Sequence, residues 1–248
     1  MNRFWGQTLS SALFAMAAAS AFPACAHNDG TLFVHGVLFP PTPNGTQCTY
    51  TADPTAAELS RGTVDAALTD AYVPEFLLGS SLLAQANAIT PQNETSTLTL
   101  EGVDVQVVDP VTNAQIMNND VLAAGIVEAA AGSSPSYTAI GAAVMNAAAV
   151  AHFDPGLNSE GFANPSKLAE VFVKFYGKTL GGQYVESDQF LFPVDVCHGC
   201  LVSFPATPNL QAYCSGAVAS LATSQPCVIG QDQPVDCQRC YPLPACTP

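Results

Sequence analysis

Seven of the nine cysteines stand within the last 52 residues: Cys197, Cys200, Cys214, Cys227, Cys237, Cys240 and Cys246. Another lies far upstream at Cys48, and the ninth is Cys25. This distribution constrains the fold more tightly than any hydropathy pattern, because every bridge fixes two backbone positions within bonding reach. An odd count is awkward for an oxidised chain. Setting Cys25 aside leaves eight, an even set of four bridges whose connectivity the sequence does not dictate. Cys48 is expected to staple the N-terminal region to the tail. That closes a loop of at least about 150 residues, worth about 4–5 kcal/mol in the chain-entropy model.

Cys25 has its own explanation. Met1-Asn2-Arg3 gives a short positive start, and Phe4 to Phe22 runs uncharged through an alanine tract. That is the layout of a secretory signal peptide over residues 1–25. Phe22-Pro23-Ala24-Cys25 resembles a bacterial lipobox, in which the cysteine becomes the acylated first residue. Ala24-Cys25-Ala26 also fits an A-x-A cleavage pattern that would release a chain starting at His27. The lipid anchor is preferred, since the cysteine otherwise has no purpose at the end of such a segment. Export predicts an oxidising compartment, in agreement with the even cysteine count. The apolar run Ala139 to Ala151 is 13 residues long and contains Asn146, too short to span a bilayer.

With the leader removed, five basic and 20 acidic residues remain, a net charge near −15. Such a chain repels nucleic acid, which is bound through Lys and Arg at phosphates, and disfavours docking on an anionic lipid surface. The acidity is read as a solubility device, with an acidic cation site as the alternative.

The middle of the chain reads as strands. Thr31 to Phe39 is a strand closed by Pro40 to Gly45, and Cys48-Thr49-Tyr50-Thr51 is β-prone. Thr55-Ala56-Ala57-Glu58 has a capping-box outline that predicts one helical turn. Gly62 to Leu68 alternates as a half-buried strand, and Phe76 to Leu83 gives another. Thr97 to Val107 alternates most clearly, with Asp104 and Gln106 opposite Val103, Val105 and Val107, and Asp109-Pro110 ends it. Residues 121–152 are alanine-rich and ambiguous, with a short helix read over Asn146 to Phe153. Leu168 to Tyr176, with Val171, Val173 and Phe175 alternating against Phe172, Lys174 and Tyr176, forms a hairpin with Gln183 to Val196 around Gly177 to Gly182. Short strands between Pro, Gly and Asn turns predict a mainly β fold: an antiparallel, immunoglobulin-like β-sandwich over 26–196. Residues 197–248 read as a loop-rich, disulfide-knit tail folded against it.

Candidate chemistry is sparse. Cys197-His198-Gly199-Cys200 and Cys237-Gln238-Arg239-Cys240 are paired C-x-x-C segments, the form of a zinc knuckle. Their spacing is wide for a ribbon, and export favours disulfides. Thiol-redox catalysis wants a helix N-terminus at the first cysteine, whereas β-prone residues flank Cys197. Leu201 and Tyr241 stand where covalent haem needs histidine. Of the histidines, His27 is near the leader, His35 lies in a strand, His198 lies inside a C-x-x-C, and His152 with Asp154 reads as a solvated pair at a loop edge. No G-x-S-x-G, EF-hand or phosphate loop occurs; Lys178 to Gly182 is a turn. Asn44-Gly45-Thr46 and Asn93-Glu94-Thr95 are glycosylation sequons that matter only in a eukaryote. Loss of Trp5 with the leader leaves phenylalanines and tyrosines as the aromatic surface.

Phe192-Pro193-Val194-Asp195-Val196-Cys197-His198-Gly199-Cys200, Pro226-Cys227-Val228-Ile229-Gly230-Gln231-Asp232 and Val235-Asp236-Cys237-Gln238-Arg239-Cys240 resemble a group of uncharacterised bacterial envelope lipoproteins with a cysteine-rich C-terminus. Thr179 to Gly182, Cys48-Thr49-Tyr50 and Gly62-Thr63-Val64-Asp65 are similar to the same group. The resemblance implies compartment and architecture; it carries no assigned activity. The expectation is an exported envelope lipoprotein, at the outer membrane or secreted to the periplasm, acting as a non-enzymatic surface module for a protein or glycan partner. The alternative is a zinc-binding or thiol-redox accessory protein. No catalytic, cofactor or metal residue is assigned, and no cofactor is expected.

Overall fold

The computed structural model describes residues 30–42, 48–85, 94–159, 164–218 and 225–248. The 1–25 segment with Cys25, His27 and the sequon asparagines Asn44 and Asn93 lie outside them.

Alternation builds the two longest strands among the described residues. In β5 (Leu98–Asp109) the residues Val103, Val105 and Val107 are fully buried while Glu101 and Asp104 are exposed. Its neighbour β9 (Lys167–Thr179) buries Ala169, Val171, Val173 and Phe175 in the same way. The antiparallel register sets Val103 opposite Phe175, Val105 opposite Val173 and Val107 opposite Val171. Both valine ladders therefore share one face.

Around this pair the larger sheet runs in the order β3 (Gly62–Asp65), β11 (Phe190–Cys197), β9, β5 and β6 (Ala114–Val121). Two short strands extend its outer tracks: β10 (Tyr184–Glu186) also pairs with β9, and β7 (Gly125–Val127) also pairs with β5. The smaller sheet is antiparallel, in the order β2 (Glu58–Leu59), β1 (Leu32–Leu38), β4 (Glu75–Ser80) and β8 (Ser136–Gly141). One hydrophobic cluster joins the two sheets, with Leu32, Val37, Phe76 and Leu78 meeting the valine ladders. Phe76 and Phe175 make an edge-to-face contact at 5.2 Å. Each such side chain, fully buried, is worth about 1.5–3 kcal/mol. Helix α1 (Ala147–Phe153) covers the core with Ala149, Val150 and Phe153, and the Asn146 carboxamide caps it by accepting from the Ala149 amide at 3.0 Å.

The mainly β expectation holds, with differences that have local causes. Thr55 to Glu58 is not a helical turn: the Asp53 carboxylate accepts from both the amide and the hydroxyl of Thr55, and Glu58 enters β2 instead. Such an Asx turn competes with the helix for the same backbone donors. Cys48 to Thr51 forms no strand. The strand beginning at Gly62 stops at Asp65, which is fully buried rather than facing water. The return from β9 is broken into β10 and β11 by Ser187, whose hydroxyl accepts from the Phe175 amide. Strand β6 carries no apolar alternation and is invisible to a periodicity reading. Pairing is not antiparallel throughout, because β3 joins β11 in parallel.

The tail forms a second, smaller cluster of Tyr213, Cys214, Val235, Cys237, Cys240 and Cys246. It contains α2 (Leu210–Cys214), α3 (Cys237–Cys240) and a parallel pair, β12 (Val202–Ser203) with β13 (Val235–Asp236). Four bridges knit it: Cys48–Cys227, Cys197–Cys200, Cys214–Cys237 and Cys240–Cys246. The first spans 179 residues and ties the N-terminal region to the tail.

Candidate functional site

The large sheet leaves one face in water, and its side chains follow from the same alternation. Glu101, Asp104 and Gln106 of β5 lie beside Phe172, Lys174, Tyr176 and Lys178 of β9. Next to Tyr176 the sheet carries Gly102, where a Cβ would run into the tyrosine ring, so the glycine leaves room for the ring to lie flat. Its hydroxyl donates to Asp120 of β6, and Tyr184 of β10 lies 6.2 Å away with its ring tilted by 30°. The basic residues here are paired, Lys174 with Glu186 and Lys178 with Glu101 at 2.9 Å. The hydrogen bond to Asp120, then burial, pushes the Tyr176 hydroxyl up to about 12. Burial followed by the Glu186 carboxylate raises that of Tyr184. Both remain neutral donors at physiological pH. The face therefore carries the exposed Tyr184 ring beside the half-buried Tyr176, both hydroxyls donating to carboxylates, and a surplus of carboxylates, which suits recognition; neither hydroxyl is an activated nucleophile.

Three other clusters were candidates for chemistry. At the first C-x-x-C, Cys197 and Cys200 are bonded to each other, and the ligand atoms of Asp65, Cys197 and Cys200 lie within 4.8 Å of one another. Asp65 accepts from the amides of Gly199 at 2.6 Å, Leu201 at 2.9 Å and Ala67 at 3.1 Å. A buried carboxylate holding three N–H groups organises the loop, and its charge opposes a thiolate beside it. The second C-x-x-C is split, Cys237 bonding Cys214 and Cys240 bonding Cys246. In this state neither segment presents thiolates to a metal.

His152 and Asp154 part company. Nε2 of His152 lies 3.9 Å from Asp109, whereas Asp154 meets Nδ1 of His198 at 3.0 Å. The open cleft beside His152 is lined by Asp109, Val111, Phe153 and Ser166 to Leu168, without Asp154. His35 faces Glu58 at 3.5 Å.

The third cluster is one that sequence reasoning missed. Asp232 reaches across to β3, accepting from the Thr63 amide at 2.7 Å and the Tyr72 hydroxyl at 2.9 Å. Beside it, Gln231 accepts from the Val73 amide and donates to the Ala71 carbonyl. Burial pushes the Asp232 carboxyl up to about 6 against the lowering effect of those two hydrogen bonds. Burial also raises Glu75, and it pushes Tyr50 up to about 12 with help from Glu75 and Asp232. Paired carboxyls of raised pKa are a catalytic signature. Here they adjoin a cavity of about 10 Å³, at the lower limit for a single water. The cluster ties the tail to β3 and to the Tyr72–Val73 segment.

No family model and no curated protein matches the chain.

The open tyrosine face is thus the best-formed candidate surface, and half of it was legible beforehand. Asp104 and Gln106 stood out as the wet side of an alternating strand, as did Lys174 and Tyr176. Asp120 did not, because β6 carries no periodic signal. Asp232 gave none either, and its φ of 54° is seen only in the folded turn. Among the described residues no helix is long and apolar enough to cross a membrane.

Proposed function

We propose that the chain is an exported cell-envelope protein, tethered as a lipoprotein through Cys25, whose immunoglobulin-like β-sandwich works as a non-enzymatic binding module for a protein or glycan partner. The observation that carries this reading is the pairing of all eight described cysteines in four bridges, the state that an oxidising compartment maintains. Binding is favoured over catalysis by the contrast between the closed Asp232 cluster and the open tyrosine face. The expected location is the outer membrane or the periplasm.

Mass spectrometry of the N-terminus after expression with the leader in a bacterial host tests the proposal. A diacylglyceryl adduct on Cys25 is the expected result. A soluble chain starting at His27 removes the tether and leaves export standing. An unprocessed chain with free thiols in the cytosol overturns the reading.

A second reading rests on the closeness of Asp65, Cys197 and Cys200. After reduction they would offer two thiolates and a carboxylate to zinc. Thiol titration with metal analysis separates the two: absence of both free thiols and zinc supports the first, while two or more thiols with one bound zinc supports the second.

A further inference from the structure

Sheets end in edges, and an uncovered edge presents unpaired N–H and C=O groups to any extended chain. Strand β3 closes one end of the large sheet and is covered, since Val64 bridges Gln231 and the amide of Asp65 donates to the Gly230 carbonyl. In the small sheet β2 is only two residues long, and β8 lies against β7, with the Ser136 hydroxyl donating to the Glu128 carbonyl. Strand β6 differs from all of these. It is eight residues long, closes the other end of the large sheet and pairs only with β5 among the described residues.

Few of the usual edge defences are present. β6 has neither lysine nor proline, only Asp120 and the irregularity at Ile116. Along the same track Leu122 is 80% exposed and Ile126 is 57% exposed. Charge on the wet side of this edge is also distinctive. Asp104 and Asp120 stand directly opposite each other in the β5–β6 register, an arrangement that costs stability unless a cation relieves it. Lys174 of β9 stands opposite Asp104 and also pairs with Glu186, Lys178 pairs with Glu101, and Asp120 accepts from the Tyr176 hydroxyl, so the four carboxylates of Glu101, Asp104, Asp120 and Glu186 share two lysines. A second copy of so acidic a chain would bring more negative charge to the same place.

We propose that the β6 edge binds an extended basic peptide as an added antiparallel strand. Its main chain pairs with β6, and alternate lysine or arginine side chains turn onto the wet face towards Asp104 and Asp120. The intervening apolar side chains turn to the opposite face, where Val121 lies half-buried. Main-chain bonds supply the affinity of such strand addition and the alternating side chains its selectivity. This rests on reading the chain as a binding module and names its partner class.

The test uses the whole disulfide-intact chain and a fluorescent octapeptide alternating lysine and valine, followed by anisotropy. Saturable binding is expected, weakened about tenfold or more by the Asp104→Asn, Asp120→Asn double variant, and weakened again between about 50 and 500 mM salt. N-methylation of alternate peptide amides should abolish binding in one frame and spare it in the other, because only one set of amides faces β6. Equal binding by both N-methylated peptides, or by a glutamate–valine octapeptide, overturns the proposal. So does absence of saturable binding up to about 1 mM, or a dimer of the chain that occupies β6 instead. The Tyr184→Ala variant separates edge from face: a ligand lost in that variant and indifferent to N-methylation belongs to the tyrosine face, which keeps the binding-module reading and refutes the edge.

Discussion

Replacing Asp232 with asparagine should remove a pH dependence that the wild-type chain carries between about pH 4 and 6. The folded carboxyl is pushed up to about 6 by burial, while an unfolded aspartate titrates near about 3.9. Below about pH 4 the group is protonated in both states and contributes no difference. Between about pH 4 and 6 the folded chain holds a proton that the unfolded chain has released, so stability falls as pH rises. Above about pH 6 both states are ionised and the full penalty is present. Two pH units at about 1.4 kcal/mol each give about 3 kcal/mol.

Asparagine keeps an oxygen for the Thr63 amide and turns an N–H towards the Tyr72 oxygen. It also tolerates the left-handed backbone that Asp232 adopts. Urea unfolding of both disulfide-intact proteins at pH 4, 5, 6 and 7 measures the effect. The stability of the variant relative to wild type should climb by about 3 kcal/mol across that range. Burial of Glu75 gives a slope of the same sign in both proteins, which cancels in the difference. A difference that stays flat, or that falls with pH, refutes the account of the buried carboxyl.

Asp65→Ala should destabilise the fold by about 3–5 kcal/mol, since it strands the amides of Ala67, Gly199 and Leu201; urea midpoints report it. Gly177→Ala places a Cβ against the Thr99 carbonyl of the neighbouring strand, and a cost of about 1–3 kcal/mol is expected in thermal unfolding. Removing the Cys48–Cys227 bridge by a double serine substitution should lower stability by up to about 5 kcal/mol, because its loop of 179 residues is the longest of the four. A loss no larger than that from removing Cys240–Cys246 would argue against the loop-entropy account.

By itself the sequence determined what periodicity and counting can reach. Alternation in β5 and β9 marked both the valine ladders and the wet residues Asp104, Gln106, Lys174 and Tyr176, because a strand's two-residue period is written locally. The cysteine tally marked an even set once Cys25 was put aside. Asn146 marked the start of α1, since a cap acts within one turn. Tertiary structure decided the rest. The partner of each cysteine depends on which distant segments meet, so Cys237 and Cys240 diverge although they are three residues apart. β6 exists because β5 offers it a ladder, not because its own residues alternate. Nothing in the chain marks Asp65 or Asp232, yet Asp65 is buried and Asp232 half-buried where each collects donors from other segments. Hydrogen bonds of that kind have no sequence period, and only the folded molecule brings their two ends together.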